Sequence, residues 1–361
     1  MRVHLLSTAV APLGSGLGGG VETMVVNAAQ QLQTFGHRVQ ILAPLDSVAA
    51  SVAVIALPGR LAATAVGCDY DAPVALGSDA FLVQALRRLA EQVRPGDAIL
   101  NFSYDWLPLF LSDFLPCPLG TLVSMGALNR SLDQEIRRIA ARRPERLAFL
   151  STAQAASFGL NAPIRRIPPG LDLAQYRYNA HPDRAVCWLG RIAPEKGLED
   201  AFAFAARTGY AVTVFGVLQD RGYWERLAQC YPSAPVDYGG FLRLPALAEA
   251  VGQFRALLMT PKWLEAFGIV GIEALACGTP VIAYRRGGIS DYVLDGITGW
   301  LAEPDDLDGL CAAAERIGRI NRGACRAQVE QSYTLTQYGA ALADWLRALT
   351  AGAEHSTGDA G

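Results

Sequence analysis

Through most of the chain, short uninterrupted apolar runs alternate with stretches whose apolar positions recur at helical spacing. In the first half, the runs at 3–6, 38–43, 98–102, 119–124 and 147–151 predict strands, and the patterns at 21–35, 81–93 and 131–141 predict helices. A proline-bounded segment, Arg165-Arg166-Ile167-Pro168-Pro169-Gly170-Leu171-Asp172, closes this half. After a polar stretch at 178–184 the rhythm restarts. Strands are predicted at 186–190, 211–215, 236–238, 257–259 and 280–283, and helices at 197–206, 223–229, 244–251 and 270–277. Strands alternating with helices predict parallel sheets covered on both faces. The fold class is therefore α/β, with two Rossmann-like doubly wound halves, 1–176 and 177–335. Ligands of such sheets bind beyond the carboxyl ends of the strands, here expected to face a central cleft. A last helical stretch at 336–349 precedes a polar tail, 351–361, expected to be disordered.

Composition narrows the class of function. With 361 residues there is room for two domains, each with its own core. A net charge of −3 argues against nucleic acid as a partner, and the pairs Arg137-Arg138 and Arg142-Arg143 read as solvated helix faces. The N-terminus lacks the longer apolar core of a signal peptide. No stretch approaches the roughly 18 apolar residues of a membrane span, so no stable membrane insertion is expected. Seven scattered cysteines without C-x-x-C spacing point to reduced thiols in a cytoplasmic protein. Four dispersed histidines offer no metal ligand set. No feature points to a particular oligomeric state.

Residues 14–20, Gly-Ser-Gly-Leu-Gly-Gly-Gly, match the glycine spacing of a dinucleotide-binding turn. The match fails in its context. Ser7–Leu13 separate the first strand from the glycines, and the second strand ends Leu42-Ala43-Pro44 without the acid that would hold a ribose. The glycines instead precede a helix beginning Val21-Glu22, where backbone can approach an anion and the helix start supplies amide donors. A flexible surface loop is the plainer alternative.

The second half carries stronger signals. Gly190-Arg191-Ile192-Ala193-Pro194-Glu195-Lys196-Gly197 joins a strand to a helix, placing an arginine fork and a lysine point charge where they can grip a diphosphate. A surface ion-pair loop is the alternative for that motif alone. Glu265 follows a later strand, and Glu273 lies in the first turns of the next helix. This spacing suits a ligand lying along the helix start. Amides near 267–270 meet its phosphate, Glu273 accepts from the vicinal hydroxyls of a ribose, and Glu265 meets a group further out.

Several stretches together resemble family 4 of the retaining glycosyltransferases. They are Gly19-Gly20-Val21-Glu22, the Gly190–Gly197 segment, Glu265 with seven residues before Glu273, Glu273-Ala274-Leu275-Ala276-Cys277-Gly278-Thr279-Pro280-Val281, and Gly296-x-x-Gly299. The resemblance spans about 1–345 in order. It implies a GT-B fold, with an N-terminal acceptor domain, a C-terminal nucleotide-sugar domain, and a final helix, 336–350, crossing back. It implies that Arg191 and Lys196 bind the diphosphate, Glu273 the ribose, and Glu265 the donor sugar. The amides of Phe267, Gly268 and Ile269 would complete the pocket, and Gly19 and Gly20 would close over the donor phosphate. Transfer would retain anomeric configuration by same-face attack, with charge on the leaving phosphate stabilised without metal. No cofactor is implied beyond the nucleotide sugar as co-substrate. Asp69-Tyr70-Asp71 matches the D-x-D metal motif of another glycosyltransferase fold, but lies far from the donor block and reads as coincidence.

Many family members carry a histidine after the strand at 98–102, whereas this chain reads Asn101-Phe102-Ser103-Tyr104-Asp105-Trp106. Tyr104 or Asp105 is expected to replace it, with Asp105 orienting or deprotonating an acceptor, so Asp105 joins Arg191, Lys196 and Glu265 as a catalytic candidate. A loop whose aromatics merely pack is the alternative. This stretch and residues 6–22 resemble the pteridine glucosyltransferases of the family, which implies UDP-glucose as donor and tetrahydrobiopterin as acceptor. Phe102, Tyr104 and Trp106 would stack on the pterin, and Asn101 or Asp105 would meet its polar edge. A lipid or polysaccharide acceptor, or a binding protein without catalysis, are the competing readings.

Overall fold

A computed structural model describes residues 1–63, 65–66, 69–160 and 163–356. It contains two parallel six-stranded sheets. The first holds β1 (Arg2–Leu6), β2 (Arg38–Pro44), β3 (Ala53–Leu57), β4 (Ala98–Asn101), β5 (Leu119–Val123) and β6 (Leu147–Phe149), in the order β3-β2-β1-β4-β5-β6. The second holds β7 (Arg184–Leu189), β8 (Val212–Phe215), β9 (Val236–Gly240), β10 (Phe254–Met259), β11 (Val281–Tyr284) and β12 (Gly299–Ala302), in the order β12-β11-β10-β7-β8-β9. Each half repeats one topology: its first strand lies between its second and its fourth. The strand order therefore reverses at β1/β4 in one sheet and at β7/β10 in the other, and loops leaving those strands flank the crevice where such sheets take ligands.

The central strands are mostly apolar, as expected of parallel strands buried on both faces. Every residue of β4, β5 and β11 is buried. The chain forms two compact units, 1–170 with 335–361, and 171–334. The units part at Gly170/Leu171, six residues before the 176/177 division read from sequence, so Leu171–Tyr176 belong with the second unit. The final helix, Leu335–Ser356, belongs to the first unit. Its Tyr338 hydroxyl donates to the Met24 carbonyl at 3.2 Å, and its Trp345 indole donates to the Glu145 carbonyl at 2.7 Å. Trp345 also packs against Gly120, where an added Cβ would stand 2.7 Å from the ring. The helix runs on to Ser356, past the 350 expected, and its buried apolar face carries Leu342, Leu346 and Leu349. Of the expected tail, 357–361 lie outside the described residues. No helix among the described residues is long and apolar enough to cross a membrane.

Candidate active site

In the second unit, the loop after β7 lies against the end of β10. Gly197 makes this possible. It takes φ +67°, and a Cβ there would stand 1.9 Å from the Thr260 carbonyl oxygen. Thr260 Oγ1 donates to the Gly197 carbonyl at 2.7 Å, and the Lys262 amide donates to the Glu195 carbonyl at 2.9 Å. Stitched in this way, the loop delivers Lys196 to Glu265. Lys196 Nζ meets Glu265 Oε2 at 2.6 Å, the Trp263 indole donates to the same oxygen at 3.2 Å, and the ammonium rides 4.7 Å from the Trp263 ring centre. Arg191 is held apart from that pair, by Glu195 at 3.0 Å and the Gln219 side-chain oxygen at 3.0 Å.

Glu265 is fixed from behind as well as in front. The Gly288 amide donates to its carbonyl at 2.8 Å, and Gly287, at φ +74°, comes so close that a Cβ would meet that carbonyl at 2.1 Å. Helix Ile269–Ala276 starts just beyond, from Gly268 in the left-handed region. The Tyr292 hydroxyl donates to the Gly268 carbonyl at 2.8 Å, and the buried Phe267 ring packs against Tyr292. Among the described residues, the amides of Phe267, Gly268 and Ile269 donate to no protein acceptor, which leaves a cluster of donors at the positive end of the helix dipole.

Glu273 lies one turn into that helix, with Oε1 accepting from the Tyr176 hydroxyl at 2.8 Å. Burial pushes the Glu273 carboxyl above its usual range, and the Tyr176 hydrogen bond opposes this. Burial and the neighbouring Glu273 charge both push the Tyr176 phenol up, so it stays a donor at any physiological pH. One carboxylate oxygen is thus occupied from the protein side, and the other remains for a ligand. The 261–263 segment before this cluster is anchored by Lys262, which bridges Asp200 at 2.5 Å and Asp305 at 2.9 Å, and by Arg286, which donates to the Pro261 carbonyl at 2.8 Å.

In the first unit, the glycine loop 14–19 follows β1 and leads into helix Gly20–Thr34. Glu22 folds back over it and is 6% exposed. Its carboxylate accepts from the Gly14 amide at 2.8 Å, the Gly16 amide at 3.2 Å, the Ser15 hydroxyl at 3.1 Å and also from the Gly18 amide. The amides of Gly14, Gly16 and Gly18 are thus occupied by the chain's own carboxylate. Gly19, at φ +65°, has no atom within 4 Å of where a Cβ would sit.

The segment after β4 differs in part from expectation. Asn101 and Phe102 are interior residues, 0% and 1% exposed. The Asn101 amide donates to the Ser103 carbonyl and Thr121 Oγ1, and its oxygen accepts from the Ser103 amide, so it locks the strand end. The enclosed Phe102 ring has no free face for a pterin. Tyr104, Asp105 and Trp106 reach the surface in part. The Tyr104 hydroxyl donates to the Gly126 carbonyl at 2.9 Å. Asp105 caps helix Trp106–Leu111 by accepting from the Leu107 amide at 2.9 Å, and burial pushes its carboxyl up. Trp106 stacks on Phe110 at 4.5 Å. Of the D-x-D stretch, Asp71 pairs with Arg130 while the Tyr70 hydroxyl donates to Asp133 at 2.9 Å. Among the described residues no group of three or more His, Cys, Asp or Glu is gathered as a metal ion would need.

Within the second unit the fold brings together Lys196, Glu265 and the amides of 267–269, with Glu273 on the same helix. Sequence reasoning missed Trp263, Tyr176 and Tyr292. Trp263 stands two positions before Glu265 and was open to notice; Tyr176 meets Glu273 across 97 positions, a separation without a local signal.

A family model described as "Glycosyl transferases group 1" matches residues 178–330. D-inositol 3-phosphate glycosyltransferase of Mycobacterium tuberculosis (strain F11) is 30% identical, over 96% of this chain and 83% of its own. The protein of the same name from Mycobacterium marinum (strain ATCC BAA-535 / M) is 28% identical, over 96% and 86%. Among solved structures, Anabaena HepE in complex with UDP superposes with a TM-score of 0.76, at 18% identity, over 97% of this chain and all of that one. That likeness establishes the GT-B fold of paired Rossmann-like sheets. None of these proteins is named for a pterin. The chain belongs to the group 1 glycosyl transferases, enzymes that move a sugar from a nucleotide sugar to an acceptor.

Proposed function

We propose that the chain transfers glucose from UDP-glucose to a small hydroxylated acceptor, with retained configuration and with no metal or other cofactor. The observation that carries the donor side is the Lys196–Glu265 pair over Trp263, beside the open amides of 267–269. When a diphosphate arrives, Lys196 exchanges Glu265 for phosphate oxygens, and the released carboxylate accepts from hydroxyls of the donor sugar. Arg191 exchanges Glu195 for the same diphosphate, and Glu273 takes the ribose through the oxygen that Tyr176 leaves open. Charge then builds on the leaving phosphate against two cations and a helix start, the arrangement that lowers such a barrier most. Gly19 and Gly20 close over the donor phosphate. The acceptor attacks from the face the diphosphate leaves, and that phosphate takes its proton. Asp105 orients the acceptor hydroxyl.

On the acceptor side, the enclosure of Asn101 and Phe102 removes two groups from a pterin platform. The curated relatives are named for D-inositol 3-phosphate. A polyol or its phosphate is therefore the favoured acceptor class, with Tyr104, Asp105 and Trp106 remaining to meet it. The purified protein is incubated with UDP-glucose, a chelator, and in separate reactions D-inositol 3-phosphate, tetrahydrobiopterin or no acceptor, and products are read by mass spectrometry. A hexosyl polyol phosphate that disappears in Arg191→Ala and Glu273→Ala supports the reading. A hexosyl pterin moves the acceptor to that class, and loss of product with chelator overturns metal independence. UDP binding without either product sinks both acceptors.

A further inference from the structure

We infer that Glu22 is a positioning residue for sugar transfer, acting as an internal anion that fills the amide nest of the glycine loop and so fixes Gly19 and Gly20. A run of backbone amides turned toward one point attracts an anion. Here amides of Gly14, Gly16 and Gly18, with the Ser15 hydroxyl, converge on one carboxylate that is itself 6% exposed. An anion-binding loop that awaited a phosphate would present those amides outward. This one is satisfied from within, by a residue on the helix the loop leads into.

The geometry separates two roles inside one glycine run. Residues 14–18 form the held part. A Cβ added at Gly18 would collide with Glu22 itself, 2.8 Å from both Cγ and Oε1, and one at Gly14 would stand 3.0 Å from the Val48 carbonyl. Gly19 is the open part, with nothing around its Cβ position. The Glu22 carboxylate therefore does for the loop what a bound phosphate would do, and the free approach is confined to Gly19 and the helix start. The role in transfer rests on the proposed contact of Gly19 and Gly20 with the donor phosphate; the latch itself does not.

Glu22→Gln and Glu22→Ala test this, by hydrogen exchange of the 14–18 amides and by transfer from UDP-glucose. Gln keeps the shape but supplies one acceptor oxygen in place of two and turns an amide donor toward amide donors. In both variants, exchange at 14–18 is expected to quicken at least about tenfold, as loss of hydrogen bonds to a charged acceptor implies. Protection at 24–32 stays unchanged, and the transfer rate falls about tenfold or more. Formate added to Glu22→Ala restores both, since it can refill the nest. Wild-type exchange in Glu22→Gln overturns the latch, because a space-filling side chain would be replaced by its isostere without effect. Quickened exchange with a transfer rate within about twofold of wild type overturns the role in transfer. If Glu22→Ala does not fold, Glu22→Gln carries the exchange and rate measurements alone. A wild-type chain that transfers nothing from UDP-glucose refutes the proposed donor, whereas the exchange comparison still decides the latch.

Discussion

Loops of the two units use glycine for opposite reasons. At the donor cluster, Gly197 and Gly287 let backbone press on backbone, and a Cβ at either would lie 1.9 to 2.1 Å from a carbonyl oxygen. The result is a loop pair that cannot shift without breaking the contacts that place Lys196 beside Glu265. At the end of the first unit's glycine run, Gly19 also takes a positive φ, +65°, but with ψ −151°, a conformation kept almost wholly for glycine, and it has empty space around it. The crowded glycines, Gly197 and Gly287, fix the loops that carry Lys196 and Glu265. The uncrowded one leaves room for something to come close. A positive φ alone does not distinguish these; the neighbour that a methyl group would strike does.

The sharpest way to break the comparison is to add that methyl group. Gly197→Ala is expected to destabilise the chain by about 3 kcal/mol or more, since left-handed strain and a clash with backbone act together. Gly19→Ala should cost only the backbone strain, about 2 kcal/mol, yet reduce transfer strongly. Urea denaturation of the two variants beside their transfer rates checks this, and equal losses of stability would remove the distinction.

Glu273→Gln probes the donor cluster from its electrostatics. The carboxyl holds its proton more tightly folded than unfolded, where its value is near 4.5, so this contribution to stability is present below about pH 4.5 and lost as pH rises through the folded value. Glu273→Gln is therefore expected to stabilise the ligand-free chain at neutral pH, with the gain fading toward pH 4.5, while UDP affinity drops about tenfold. Melting temperatures across pH, with calorimetric UDP titration, test both signs at once. The smallest effect belongs to Tyr176→Phe. Loss of one hydrogen bond to Glu273 should raise KM for UDP-glucose a few fold, with kcat changed less, in steady-state kinetics.

The sheets were readable because buried parallel strands are written as unbroken apolar runs, as at Val281–Tyr284. Edge strand β3 was missed. None of its residues, Ala53-Val54-Ile55-Ala56-Leu57, is fully buried at this sheet edge, and the strand is short. Strand β12, short and begun by Gly299, escaped for a similar lack of signal. The charged residues proposed to hold the donor stand out in the sequence because they sit at loop and helix starts whose spacing is local. What was not legible is which partner each charge already has. Nothing in Arg191-Ile192-Ala193-Pro194-Glu195-Lys196 tells that Lys196 turns to Glu265 and Arg191 to Glu195. Asn101 and Phe102 misled for the same reason, since a polar and an aromatic residue at a strand end look alike whether they face ligand or core.

The last helix has a consequence for how this chain is made. Because Leu335–Ser356 supplies Trp345 to the side of β5 where Gly120 makes room for it, the first unit stays unfinished until this helix, which follows the entire second unit, has left the ribosome. The second unit is one unbroken stretch, 171–334, and has every strand it needs before that helix emerges. Synthesis runs from the N-terminus, yet the part made first is the part completed last. Until then its unfinished surface is exposed to chaperones and proteases.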